Sequence, residues 1–150
     1  MAARLRQRDF GVARCRQDRW EDALPWLAGA FADGFPNGSE WAVAASYLGY
    51  CLARVERRRE EGAKLCRHAL KAAIFHSEIW ANLARIHLLA NQRGPAVAAL
   101  DKGLGYDPDD TELGHLRRQL GKRRGPPIRF LARSHFLNRA LGKLRHHIVR

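Results

Sequence analysis

Residues 77–110 limit the possible folds more than any other stretch of the chain. They read SEIWANLARIHLLANQRGPAVAALDKGLGYDPDD. Trp80, Leu83, Ala84 and His87 recur at helical spacing in the first half, and Ala96, Leu100, Gly103 and Leu104 do so in the second. Asn91, Gln92, Arg93, Gly94 and Pro95 interrupt the pattern between them. Pro95 has no amide proton, which suits the first turn of a new helix and not the interior of an old one. Asp107 precedes Pro108, and a residue before proline avoids the α region, so the second helix ends there. The stretch is predicted to be a helix–turn–helix hairpin.

The residue types at this register resemble the tetratricopeptide (TPR) repeat. Trp80, Leu83, Ala84 and His87 match the set on that family's first helix, with His87 in place of the usual Tyr. Ala96, Leu100, Gly103 and Pro108 match the second helix and its end, with Leu100 in place of the usual Phe. The resemblance implies an all-α fold, a right-handed superhelix of about three hairpins at residues 4–36, 39–76 and 77–110. A capping helix over 110–121 would cover the last apolar face. Residues 122–150 would add a basic linker and a further basic amphipathic helix. The resemblance implies a surface that binds another protein and names no reaction.

The other two hairpins are less regular. In the first, Leu5, Phe10, Gly11 and Val12 are expected to face inward, followed by Trp20, Ala23, Leu27 and Ala30. Asp18 and Glu21 have the spacing of a capping box. Pro25 then requires the second helix to begin late, near Asp22, or to kink. In the second hairpin Ser39 is expected to cap a helix carrying Tyr47, Leu48, Gly49 and Leu52, about one turn longer than usual. Its partner carries Gly62, Leu65, Cys66, Ala69 and Leu70. The motif Ser39-Glu40-Trp41 is echoed 38 residues on, in Ser77-Glu78-Ile79-Trp80. Residues 56–61, ERRREE, read as a solvated turn.

Charge is placed unevenly. The 150 residues carry 27 Lys and Arg against 15 Asp and Glu, a formal net charge of +12. The last 34 residues hold 11 of the basic side chains and none of the acidic ones, leaving 16 against 15 in the rest. The basic cluster comprises Arg117, Arg118, Lys122, Arg123, Arg124, Arg129, Arg133, Arg139, Lys143 and Arg145. Leu137, Leu141, Leu144 and Ile148 form an apolar stripe through it. Three roles are open to such a tail: docking on the array, contact with nucleic-acid phosphates, or lying on anionic lipid. The tail also resembles those of short bacterial TPR proteins.

No apolar run approaches the roughly 18 residues of a membrane span, and the opening MAARLRQRDF lacks the apolar core of a secretory signal. Cys15, Cys51 and Cys66 form no CxxC pair and read as small packing residues of a reducing, cytoplasmic compartment.

If the first helices of the hairpins line a concave groove, this register offers it Arg8, Val12, Tyr47, Cys51, Arg54, Ala81, Arg85 and Leu88. Three arginines among aromatic and aliphatic neighbours suit an extended peptide bearing carboxylates. One TPR subtype clamps the acidic C-terminal tails of heat-shock chaperones through Lys and Asn on its first helix, Asn on its second first-type helix, and Lys and Arg on its third. The matching positions here are Arg8 and Val12, then Leu48, then Glu78 and Asn82. Only the Arg8 charge survives, so the resemblance does not extend to that ligand. No Ser/His/Asp or Cys/His arrangement, phosphate-binding glycine loop or metal-ligand spacing stands out. His135, His146 and His147 lie in the basic cluster with no acid beside them. His87 reads as core. The expectation is therefore a non-enzymatic module with no cofactor and no metal.

Overall fold

The computed structural model describes residues 1–121. The linker and final helix expected at 122–150, with their basic residues from Lys122 onward, lie outside the described residues. Seven helices follow one another: α1 (Ala2–Cys15), α2 (Trp20–Ala30), α3 (Ser39–Val55), α4 (Arg59–Ala72), α5 (Ser77–Leu89), α6 (Arg93–Tyr106) and α7 (Thr111–Leu120). Among the described residues there is no strand. α1 packs on α2, α3 on α4, and α5 on α6, giving three hairpins. α3 also meets α1, α2 and α5, and α7 closes the array against α5 and α6. The contacts gather Met1–Leu120 into one compact unit.

Each hairpin turns in the same way. Asp18, Arg57 and Asn91 have φ of 59°, 60° and 57°, the left-handed conformation that reverses the chain. The next helix starts two residues later in every case, at Trp20, Arg59 and Arg93. Asp18 is therefore a turn residue, and the expected capping box does not form. Arg19 is the cap position instead, and its Nε donates to Asp22 Oδ2 at 2.7 Å. Pro25 neither delays α2 nor marks its start, because the helix begins at Trp20 and runs through it. Pro25 and Glu21, whose carbonyl lacks an amide partner as a result, both face solvent.

Ser39 likewise belongs to α3 itself, and Gly38, at φ 121°, is the cap. At α7 a side chain does cap the helix: the Leu113 amide donates to Asp110 Oδ1 at 2.7 Å. Pro95 falls in the first turn of α6, and Asp107 ends that helix. α3 has 17 residues against 14 in α1 and 13 in α5, the extra turn expected from its sequence.

Within each hairpin the helices cross at a glycine. A Cβ on Gly49 would lie 2.6 Å from the Gly62 carbonyl oxygen, and one on Gly62 would overlap the Gly49 oxygen. A Cβ on Gly11 would meet Leu27 Cγ at 2.7 Å, and one on Gly103 would meet Leu113 Cδ1 at 2.7 Å and Trp80 Cβ at 2.8 Å. Aromatic pairs join the first hairpin to the second: Trp20 meets Tyr50 edge-on at 4.7 Å between centroids, and Phe31 meets Trp41 at 5.5 Å. Leu27, Ile79, Ile86, Leu100 and Leu113 are fully buried between them. Two expected core residues are not core. Phe10 is 41% exposed and rests on Trp26, while His87 is half-buried with Nδ1 2.7 Å from Gln92 Oε1. Leu65 is half-buried.

Two substitutions test this packing. Trp80 is buried, and its indole Nε1 donates to the Ile74 carbonyl at 2.8 Å. Trp80→Ala should cost about 3–5 kcal/mol in a denaturant titration. Gly62→Ala would gain about 1 kcal/mol from helix propensity alone. The overlap with Gly49 should reverse the sign and leave a net loss of about 1–3 kcal/mol; a stabilised variant would show that the crossing opens freely.

Candidate functional site

Helices α1, α3 and α5 lie side by side and enclose a cleft of about 560 Å³. Arg8 and Val12 on α1 and Arg16, the residue that ends it, recur every four residues and share one face. Asp9 and Ala13 complete its contribution. Glu40 and Val43 come from the first turns of α3, Glu78 from the start of α5, and His76 from the residue before it.

The charges in the cleft are already matched. Arg8 Nη1 lies 2.9 Å from Glu40 Oε2 and its Nη2 2.7 Å from Asp9 Oδ1. Its guanidinium sits 5.0 Å from the centre of the Trp41 ring. That side chain is only 11% exposed, so its direction is set by packing as well as by charge. Arg16 Nη2 meets Glu78 Oε1 at 2.9 Å and also engages the Tyr47 hydroxyl. Burial pulls the Arg16 guanidinium down, but Glu78 and Tyr47 outweigh it and hold it above its ordinary value. Burial, then the Glu78 carboxylate, pushes the Tyr47 phenol up against the opposing pull of Arg16. The lining thus holds two guanidinium groups among three carboxylates.

The groove expected from sequence is only partly this one. Arg8 and Val12 line the cleft. Tyr47, Cys51 and Ala81 are 5%, 0% and 1% exposed, and the latter two offer no surface. Arg54 is exposed and Leu88 half-buried, both outside the cleft lining. Arg85 is held elsewhere: it pairs with Glu112 of α7, donates to Asn82 Oδ1 at 3.0 Å and lies 5.6 Å from the Tyr50 ring centre. Arg117 meets Asp101, and Arg118 is exposed in the last turn of α7.

The sequence reading missed Arg16, Glu40 and Glu78. Their signal was present in the Ser-Glu echo and the four-residue spacing of Arg8, Val12 and Arg16. The echo places a carboxylate at the start of two neighbouring helices, facing the arginines of α1.

Beneath the cleft runs a buried polar chain. Asn82 Nδ2 donates to Ser46 Oγ at 3.0 Å, and Ser46 Oγ donates to the Val43 carbonyl at 2.7 Å. Both side chains are fully buried, and both ends of the Asn82 amide are engaged. Asn82 therefore has no free amide for a ligand. Among the described residues no group of three or more His, Cys, Asp or Glu is placed to hold a metal ion, and no helix is long and apolar enough to cross a membrane.

Neither the protein-family models nor the curated proteins give a match to this chain. Among solved structures it is similar to the second TPR domain of human RPAP3, determined by NMR in complex with the HSP70 peptide SGPTIEEVD. The TM-score is 0.62 at 15% identity, over 81% of this chain and 98% of that one. At that identity the likeness shows the fold: an array of TPR-type helical hairpins.

The three cysteines are free and buried, with Cys15 Sγ 3.6 Å from Cys51 Sγ. The contact with Cys51, then burial, pushes the Cys15 thiol up, and burial does the same to Cys66 against a weaker pull from Arg67. The native chain should therefore react slowly with an aromatic disulfide reagent at neutral pH, and the unfolded chain should react at all three thiols. Unfolded thiols ionise near their ordinary value of 9.0, while Cys15 and Cys66 hold their protons above it. Stability should thus fall as pH rises past about 9, visible as a lower melting temperature.

Proposed function

We propose that this chain is a non-enzymatic interaction module, an adaptor or assembly factor, that holds an extended segment of a partner protein in the α1–α3–α5 cleft. The observation that carries the reading is the pair of arginines fixed there, Arg8 on Trp41 and Arg16 between Tyr47 and Glu78. Guanidinium groups held in place by packing recognise a carboxylate by exchange of partner, with little further ordering of the arginine itself. The fold supports the reading by analogy, since the RPAP3 domain is seen holding a peptide.

The lining also shapes the partner. An entering carboxylate must displace Glu40 or Glu78 from its arginine, which leaves that glutamate in need of a cation. A segment carrying both signs of charge satisfies both sides, and a purely acidic one does not. The orienting role expected of Arg8, Arg54 and Arg85 passes to Arg8 and Arg16. A cytoplasmic setting, with three unoxidised thiols, belongs to the same reading.

Capture from a lysate of the source cell, read by mass spectrometry, tests it. Arg8→Gln with Arg16→Gln should lower recovery of the partner about 10-fold or more, as for truncated charged contacts generally. Arg54→Gln should leave recovery unchanged, and all variants should keep their helical circular dichroism. Equal recovery by the Arg8/Arg16 variant would overturn the assignment.

A further inference from the structure

α4 carries a surface that the cleft does not use. Lys64, Arg67 and Lys71 are exposed at i, i+3 and i+7 along it, one side of the helix. Elsewhere in the array arginines such as Arg8, Arg16, Arg19 and Arg58 each meet a carboxylate. Lys64, Arg67 and Lys71 have no ion pair among the described residues.

These cations border a hollow of about 610 Å³ that also receives Phe35, Leu65 and His68. Phe35 is 49% exposed, its ring 4.9 Å from Phe31 and 6.2 Å from His68 between centroids. The acid of this hollow is Glu61, and Arg58 holds it at 2.7 Å. A second hollow of about 230 Å³ shares Lys64 and Arg67 and adds Arg59 and Glu60, but no Phe, Tyr or Trp lines it. What sets the first hollow apart is the Phe35 ring beside its cations, together with an acid that Arg58 already neutralises.

We propose that this face binds single-stranded nucleic acid, with backbone phosphates on Lys64, Arg67 and Lys71 and a base stacked on Phe35. From Lys64 to Lys71 the helix rises about 10 Å, the reach of roughly two or three phosphates of an extended strand. Unmatched cations beside a half-exposed aromatic ring are the two elements that sequence-tolerant strand binding needs. A duplex would leave Phe35 unused because its bases are already stacked, and so would a run of acidic residues with no aromatic among them. The surface belongs to α4 and the loop before α3, and the cleft to α1, α3 and α5, so either assignment stands if the other fails.

The basic residues of 117–150 will also attract polyanions, so every comparison keeps the full chain. Fluorescence anisotropy with a labelled 12-nucleotide oligo-uridine is the measurement. Lys64→Ala, Arg67→Ala and Lys71→Ala combined should raise Kd at least 10-fold. The slope of log Kd against log salt should flatten by about 2, since each phosphate on a single strand contributes about 0.7. Phe35→Ala should raise Kd about 5-fold or more with the slope unchanged. Each side chain is at least half-exposed or on the solvent side, and circular dichroism checks that the helices persist. The proposal is overturned if the triple variant keeps the wild-type Kd and slope, if an oligoglutamate of the same length binds as tightly, or if the oligonucleotide does not bind.

Discussion

The backbone contact between Gly49 and Gly62 is the constraint on which the array depends. With no side chain on either residue, α3 and α4 touch carbonyl to Cα, and the crossing distance leaves nothing to adjust. Gly11 and Gly103 make room in the flanking hairpins for side chains, Leu27 over the first and Trp80 with Leu113 over the second. Once the helices are this close, the larger residues on either side of the crossing have only one place to go. Trp20 reaches Tyr50, Phe31 reaches Trp41, and Gly103 lets Trp80 and Leu113 meet over it. Those contacts seat the first hairpin on the second and α7 on the third, while α3 and α4 pack directly on α5. The cleft is thus a product of small residues that never touch it.

Much of this was legible in the chain. Pro95 and the Asp107-Pro108 pair bound α6, and the Trp80, Leu83, Ala84 set gives the inner face of α5. The turns themselves were not legible, because Asp18 and Asn91 are as common in caps as in the left-handed conformation, and Arg57 is typical of neither. Pro25 misled for a related reason: a proline costs a helix most where the lost bond is buried, and here it lies in water.

The groove was harder still. A periodicity argument assumes that a helix has one wet side, whereas α3 is buried at every position from 41 to 53 between α1, α2, α4 and α5. Tyr47 and Cys51 could be given a face by counting, but the middle helix has almost none to give. Only its first turn, with Glu40 and Val43, reaches the cleft. Charge counting had a similar blind spot. The first 116 residues are nearly neutral in sum, yet the structure sorts them into a cleft of matched pairs and an α4 face of unmatched cations.

The chain from Ser46 through Asn82 and Arg85 to Glu112 ties α3, α5 and α7 together by polar groups, two of them sealed from water. Parting Asn82 from Ser46 strands a desolvated amide and hydroxyl. Between α1 and α3 the corresponding depth holds two thiols in contact, which separate without orphaning a strong donor. The two seams are therefore fastened by different chemistry. The α1 seam is held instead by charge at its rim, where Arg8 meets Glu40 and Arg16 meets Glu78, so salt should loosen that seam more than the one between α3 and α5.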